Sequence, residues 1–188
     1  MIIDERKVRK AIADVLTPKN IKIFIFILFF IILFILKKNF FIVLFFVALG
    51  AVSMIYRLFV DVGIGFELCT LSTVLVAMKF GSKLGILVGF LCVTIGLALN
   101  TRLFRHPIDS LYHVIGFCII GYVASFFALE NIFGVGMIIV VVYNLIYFPF
   151  RLLFGSNVIK LLIYSATNIF FNYIIFKSLA PLFIRMLG

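Results

Sequence analysis

The sequence has no tryptophan, three cysteines, four prolines and only 7 acidic residues among 188. Cys69, Cys92 and Cys118 each sit inside an apolar segment. Their odd number and the lack of a C-x-x-C pair exclude a disulfide framework and a structural zinc site, so they read as small buried hydrophobes. His106 and His113 are separated by a proline and do not have the spacing of a metal pair; no metal site is expected. There is no Ser/His/Asp arrangement, no H-E-x-x-H, no paired membrane aspartates and no phosphate loop. The chain is therefore not expected to hydrolyse ATP, to act as an enzyme or to need a cofactor. Charge is scarce as well: 13% of residues are charged, against about a quarter in soluble domains.

Apolar mass is what the chain does have. Hydrophobic residues make up 65% of it and the mean hydropathy is +1.33, so the solvent for much of this surface is lipid. The 17 basic residues give a net charge of +10. The apolar runs leave no solvated basic face with interleaved aromatics, so no nucleic-acid partner is expected. In a membrane protein such residues mark span ends and meet lipid headgroups.

Residues 1–20 form an amphipathic N-terminal segment. Val8, Ala11, Ile12, Val15 and Leu16 share a face, Arg6, Lys7, Arg9 and Lys10 lie mostly elsewhere, and Pro18 ends the pattern. This predicts a helix over 2–17 lying on a membrane surface or docking on a partner, and no removable signal peptide. Residues 21–188 read as one multi-span domain. Six segments approach the roughly 20 apolar residues that a span requires: 39–57, 64–80, 82–99, 110–129, 132–153 and 157–180. A further run, Ile23–Leu36, is about 21 Å long as a helix, short for a bilayer core of about 30 Å. With or without it the basic residues divide almost equally unevenly between the two sides, so the positive-inside rule does not choose between the alternatives and leaves the N-terminal side open. The expected fold is an all-α membrane protein with six core transmembrane helices, an additional N-terminal hydrophobic helix left open, and a surface helix. Its location is the cell membrane, as a multi-pass protein.

Gly81, Gly85, Gly89 and Gly96 line one face of the 82–99 helix. Small residues at this spacing let membrane helices approach closely, either within the fold or, through Gly81, Gly85 and Gly89, against a docked subunit. Ionisable and amide groups inside spans are costly and mark candidate sites. Glu67 falls four residues into the 64–80 segment, as a binding group or as an interfacial carboxylate paired with Arg57 or Lys83. The 132–153 segment carries Tyr143, Asn144, Tyr147 and Arg151, with Pro149 expected to kink it. The last segment carries Lys160, Tyr164, Asn168 and Asn172, each four apart. Both rows begin near the 155–157 turn and would converge at one end of the bundle. They form either interhelical hydrogen bonds or a pocket of amides, phenols and one or two cations, suited to a small anionic or ring-containing polar solute.

From about residue 57 onward the chain resembles the substrate-binding S components of energy-coupling-factor transporters. The resemblance lies in Phe66-Glu67-Leu68 leading into Thr70–Phe80, and in the Gly81-Ser82-Lys83-Leu84-Gly85 turn with Gly89. It continues in Ile115–Ser125 with Gly116 and Gly121, and in Asn168–Leu187 with Asn172, Leu179 and Pro181. It implies a six-helix subunit that captures a vitamin, or a precursor of one, from outside. That subunit works with a transmembrane coupling subunit and a pair of ATPases, with the C-terminus inside and the 155–157 turn outside. The first helix departs from the family's A-x-x-x-A surface, offering Ala48, Gly50, Ala51 and Ser53 instead. Residue 2 is isoleucine, so the Met-His start of metal-transporting members is absent. The same outline is similar to a non-transporting membrane scaffold of the MreD type. A lipid-modifying enzyme, with Glu67 as its indispensable residue, is the third reading.

Overall fold

The computed structural model describes residues 39–58, 64–99 and 107–187. The surface helix expected over 2–17 and the run 23–36 lie outside the described residues. Within them the chain is all-helical. The helices are α1 (Asn39–Ser53), α2 (Cys69–Phe80), α3 (Ser82–Leu99), α4 (Pro107–Ala124), α5 (Ile132–Leu153), α6 (Val158–Ser178) and α7 (Ala180–Leu187), with 3-10 turns at Ile55–Leu58 and Leu129–Asn131. The contacts below belong to the compact unit Ile42–Gly188.

Among the described residues three helical stretches are long and apolar enough to cross a membrane: Ser82–Leu99, Leu129–Leu153 and Val158–Ser178. Asn39–Ser53, Cys69–Phe80 and Ser110–Ala124 are apolar but shorter. Each of the six expected segments thus contains a helix, but only three of these helices have full spanning length.

The largest departure is at 64–80, where the helix begins at Cys69. Gly65 is the cause. Its N–H donates to Thr167 Oγ1 (2.9 Å) and its carbonyl accepts from Asn168 Nδ2 (2.9 Å), so both backbone groups are committed to α6 rather than to a helical ladder. A methyl group built on Gly65 would lie 2.6 Å from the Asn168 backbone nitrogen; only glycine admits this approach. The Leu68 N–H is taken by Ser53 Oγ at 2.8 Å, and Tyr56 donates its hydroxyl proton to the Ile64 carbonyl. Residues 64–68 are therefore a non-helical strap tied to α1 and α6.

Sequence chemistry also sets the turns. Gly81 closes α2 at φ 90°, with its N–H on the Ala77 carbonyl. Asn157 caps α6, its side-chain oxygen accepting from the N–H groups of Ile159 and Lys160. The 81 turn, the 129–131 turn and α7 share one end of the bundle; the start of α2 and the 155–157 turn face the other.

Gly85 and Gly89 are buried inside the chain rather than presented to a second subunit. A methyl group on Gly85 would come within 2.8 Å of the Gly121 carbonyl oxygen, and one on Gly89 within 2.9 Å of the Phe117 carbonyl carbon. The glycine face of α3 thus lets α4 approach backbone to backbone, while Gly81 sits half-buried at the turn. Gly85→Val should force the two helices apart and lower stability by about 3 kcal/mol, read as a fall in the thermal midpoint of the purified protein.

Candidate functional site

The two polar rows turn inward and meet. On α5 the buried positions Gly136, Ile139, Val140, Tyr143, Asn144 and Tyr147 follow the three-and-four spacing of one helix face. On α6, Leu161, Tyr164, Asn168, Asn172, Ile175 and Phe176 do the same. Asn144, Asn168 and Asn172 are 3%, 1% and 0% exposed, which for amides requires hydrogen bonds. Asn144 Nδ2 donates to Asn168 Oδ1 and to the Val140 carbonyl, both at 2.8 Å. Asn168 Nδ2 holds the Gly65 carbonyl, and Asn172 Nδ2 donates to the Asn168 carbonyl at 2.9 Å. Asn168 is the centre of this network, joining α5, α6 and the strap. Asn144 Oδ1 and Asn172 Oδ1 have no hydrogen-bond partner among the described residues. They are two buried acceptors in a polar interior.

Toward the 155 end the network passes into an aromatic cluster. The Tyr143 and Tyr147 rings are near-parallel, with an interplanar angle of 8° and centroids 5.8 Å apart. Tyr147 also lies 5.3 Å from the Tyr164 ring, 4.9 Å from His113 and 5.5 Å from Tyr112. The guanidinium carbon of Arg151 is 5.8 Å from the Tyr147 centroid, within cation–π range. Arg151 is half-buried in the last turn of α5. The helix runs through Pro149 to Leu153, so Arg151 continues the inward row. Tyr143 Oη and His113 Nδ1 share a hydrogen bond at 2.5 Å, tying α4 to α5.

Glu67 stands in the strap, one residue before Leu68 and α2, and not within a helix as its position in the sequence implies. It is 2% exposed, and its carboxylate lies within electrostatic reach of Tyr143. A carboxylate paired with Lys83 is ruled out by distance. Lys83 is exposed beyond the far end of α2, about 18 Å away along the helix. The strap therefore carries Glu67 into the protein interior, within electrostatic reach of α5 at Tyr143.

All eight expected binding residues, Glu67, Tyr143, Asn144, Tyr147, Arg151, Tyr164, Asn168 and Asn172, come together in this region. Four further contributors stand beside them: Gly65 and Thr167 in the strap junction, and Tyr112 and His113 on α4. His113 was legible. It precedes Phe117, Ile120 and Ala124 at helical spacing, and all four are buried. The Gly65 junction spans more than a hundred residues of sequence and has no local signature. On the α4–α5 flank the cluster borders an apolar groove of about 440 Å³ whose lining includes Tyr112, Tyr143 and Phe150.

Carboxylate, amides, phenols, an imidazole and one guanidinium offer both donors and acceptors, together with flat ring faces, in an otherwise apolar interior. These are the kinds of group that polar-ligand sites use to fix a molecule's orientation. Compared with known protein families, with curated proteins and with solved structures, the chain matches none.

Proposed function

We propose that this chain is a multi-pass cell-membrane subunit that captures a small polar metabolite, a vitamin or a precursor of one, for uptake. In this reading all six apolar segments cross, with the short α2 completed by its strap. The energy comes from ATPases and a coupling subunit carried by other chains. The observation that carries the reading is the convergence of Asn144, Asn168, Asn172, Tyr147 and Tyr164 with Glu67 around a buried polar interior. Structural hydrogen bonding between membrane helices accounts for Asn168. It does not account for Asn144 Oδ1 and Asn172 Oδ1, which no described residue meets and which a solute N–H or O–H can. The resemblance to transporter S components supports the same assignment.

The test is a thermal-shift screen of the purified protein against water-soluble vitamins and their precursors. A ligand at a thousand times its Kd adds about 4 kcal/mol, which raises the midpoint of a chain this size by roughly 10 °C. Arg151→Ala is expected to abolish that shift by removing the cation over Tyr147. A screen with no shift, combined with recovery of an envelope-assembly enzyme in pull-downs, would favour the scaffold reading.

A further inference from the structure

We propose that the groove between the start of α5, the end of α6 and α7 binds the headgroup of an anionic phospholipid. This rests on α5 and α6 crossing a bilayer, and not on solute capture. The groove encloses about 650 Å³. Phe133, Phe176 and Ile184 form its apolar wall, and Lys177, Arg185 and Glu130 its polar edge. It lies where two helices long enough to cross a membrane begin and end, Leu129–Leu153 and Val158–Ser178. That is the level at which headgroups meet a membrane protein.

Two cations are presented there. Lys177 is steered by Tyr173, with its Nζ 3.4 Å from the phenol oxygen and 5.5 Å from the ring centroid. Arg185 is exposed on α7 between half-buried Ile184 and exposed Met186. Neither is held in an ion pair among the described residues. Leu182 and Met186, 53% and 67% exposed, give the same short helix an outward apolar side, as in helices that lie in the interface. The apolar wall runs on along the exposed flank of α6, at Phe170 and Ile174, which share a helix face with Tyr173 and Lys177. A ligand that satisfies both parts has an anionic head between Lys177 and Arg185 and a hydrocarbon tail along that wall. A phospholipid has both; a soluble anion has only the first. Basic pockets between membrane helices recognise lipid heads in this way.

The full chain, purified in detergent, is titrated with phosphatidylglycerol or phosphatidylcholine, and native mass spectrometry reads the bound fraction. Wild type is expected to prefer phosphatidylglycerol roughly 30-fold, from two cations near the headgroup. The double variant Lys177→Gln/Arg185→Gln should bring the ratio close to one while phosphatidylcholine binding stays the same. Arg185→Gln alone should fall between. Glu130→Gln removes the one acid on the rim and should strengthen the preference, whereas Lys160→Gln, at the other end of α6, should leave it as it was. The proposal is overturned by equal binding of both lipids to wild type, or by a preference that survives the double variant. It is also overturned if inorganic phosphate displaces phosphatidylglycerol as well as the lipid displaces itself, or if an acidic protein occupies the site instead.

Discussion

Asn168→Ala is expected to lower stability by about 3 kcal/mol and to abolish solute capture, whereas Asn172→Leu should cost less than about 1 kcal/mol and still weaken capture. The contrast follows from what each amide does. Asn168 accepts from Asn144 and donates to the Gly65 carbonyl, so truncation leaves a buried donor and a buried acceptor stranded at about 1–3 kcal/mol each. It also frees the strap that carries Glu67 into the interior. Asn172 makes one hydrogen bond, to a carbonyl already engaged in the helix, and its Oδ1 has no described partner. Leucine fills a similar volume without an unmet polar atom, so the fold should tolerate it. Thermal midpoints of both variants, measured beside ligand-induced shifts, separate the two roles. If Asn172→Leu destabilised as strongly as Asn168→Ala, both amides would be structural.

Tyr147→Ala should be nearly as damaging, at about 4 kcal/mol, while Tyr147→Phe should cost about 1 kcal/mol. Tyr147 is 5% exposed and its ring touches Tyr143 on its own helix, Tyr112 and His113 on α4, and Tyr164 on α6. Removing it opens a cavity at the junction of three helices and removes the ring on which Arg151 rests. The phenylalanine variant keeps the packing and removes only the hydroxyl. Full capture by Tyr147→Phe would assign the ring its role through shape; lost capture with retained stability would assign the hydroxyl a solute contact. Equal stability of Tyr147→Ala and wild type would contradict the packing described.

Long apolar runs with cap and turn signals could be read directly. Segments 82–99 and 132–153 match their helices residue for residue, because Gly81, Ser82 and the 129–131 turn bound them chemically. The inward rows on α5 and α6 were equally legible, since polar residues at three- and four-residue steps share a face whatever the tertiary structure. The strap was not legible. Residues 64–68 are apolar enough to continue a helix, and what prevents it is the fit of Gly65 against Asn168 and Thr167, a contact that no local pattern encodes. Glu67, expected within a helix, therefore lies in the strap instead. The glycines of α3 show the same limit. Their spacing announces a close approach, but only the fold shows that Gly85 meets Gly121 of the same chain.

The central claim is that the buried polar interior between the strap, α5 and α6 holds a solute. The most direct measurement extracts small molecules from wild-type protein purified gently from membranes and identifies them by mass spectrometry beside the Asn172→Leu variant. The account predicts one polar, ring-containing metabolite released from wild type at near-stoichiometric yield and at least tenfold less from the variant. Folded wild-type protein that releases no such molecule, or releases the same amount as the variant, would contradict it.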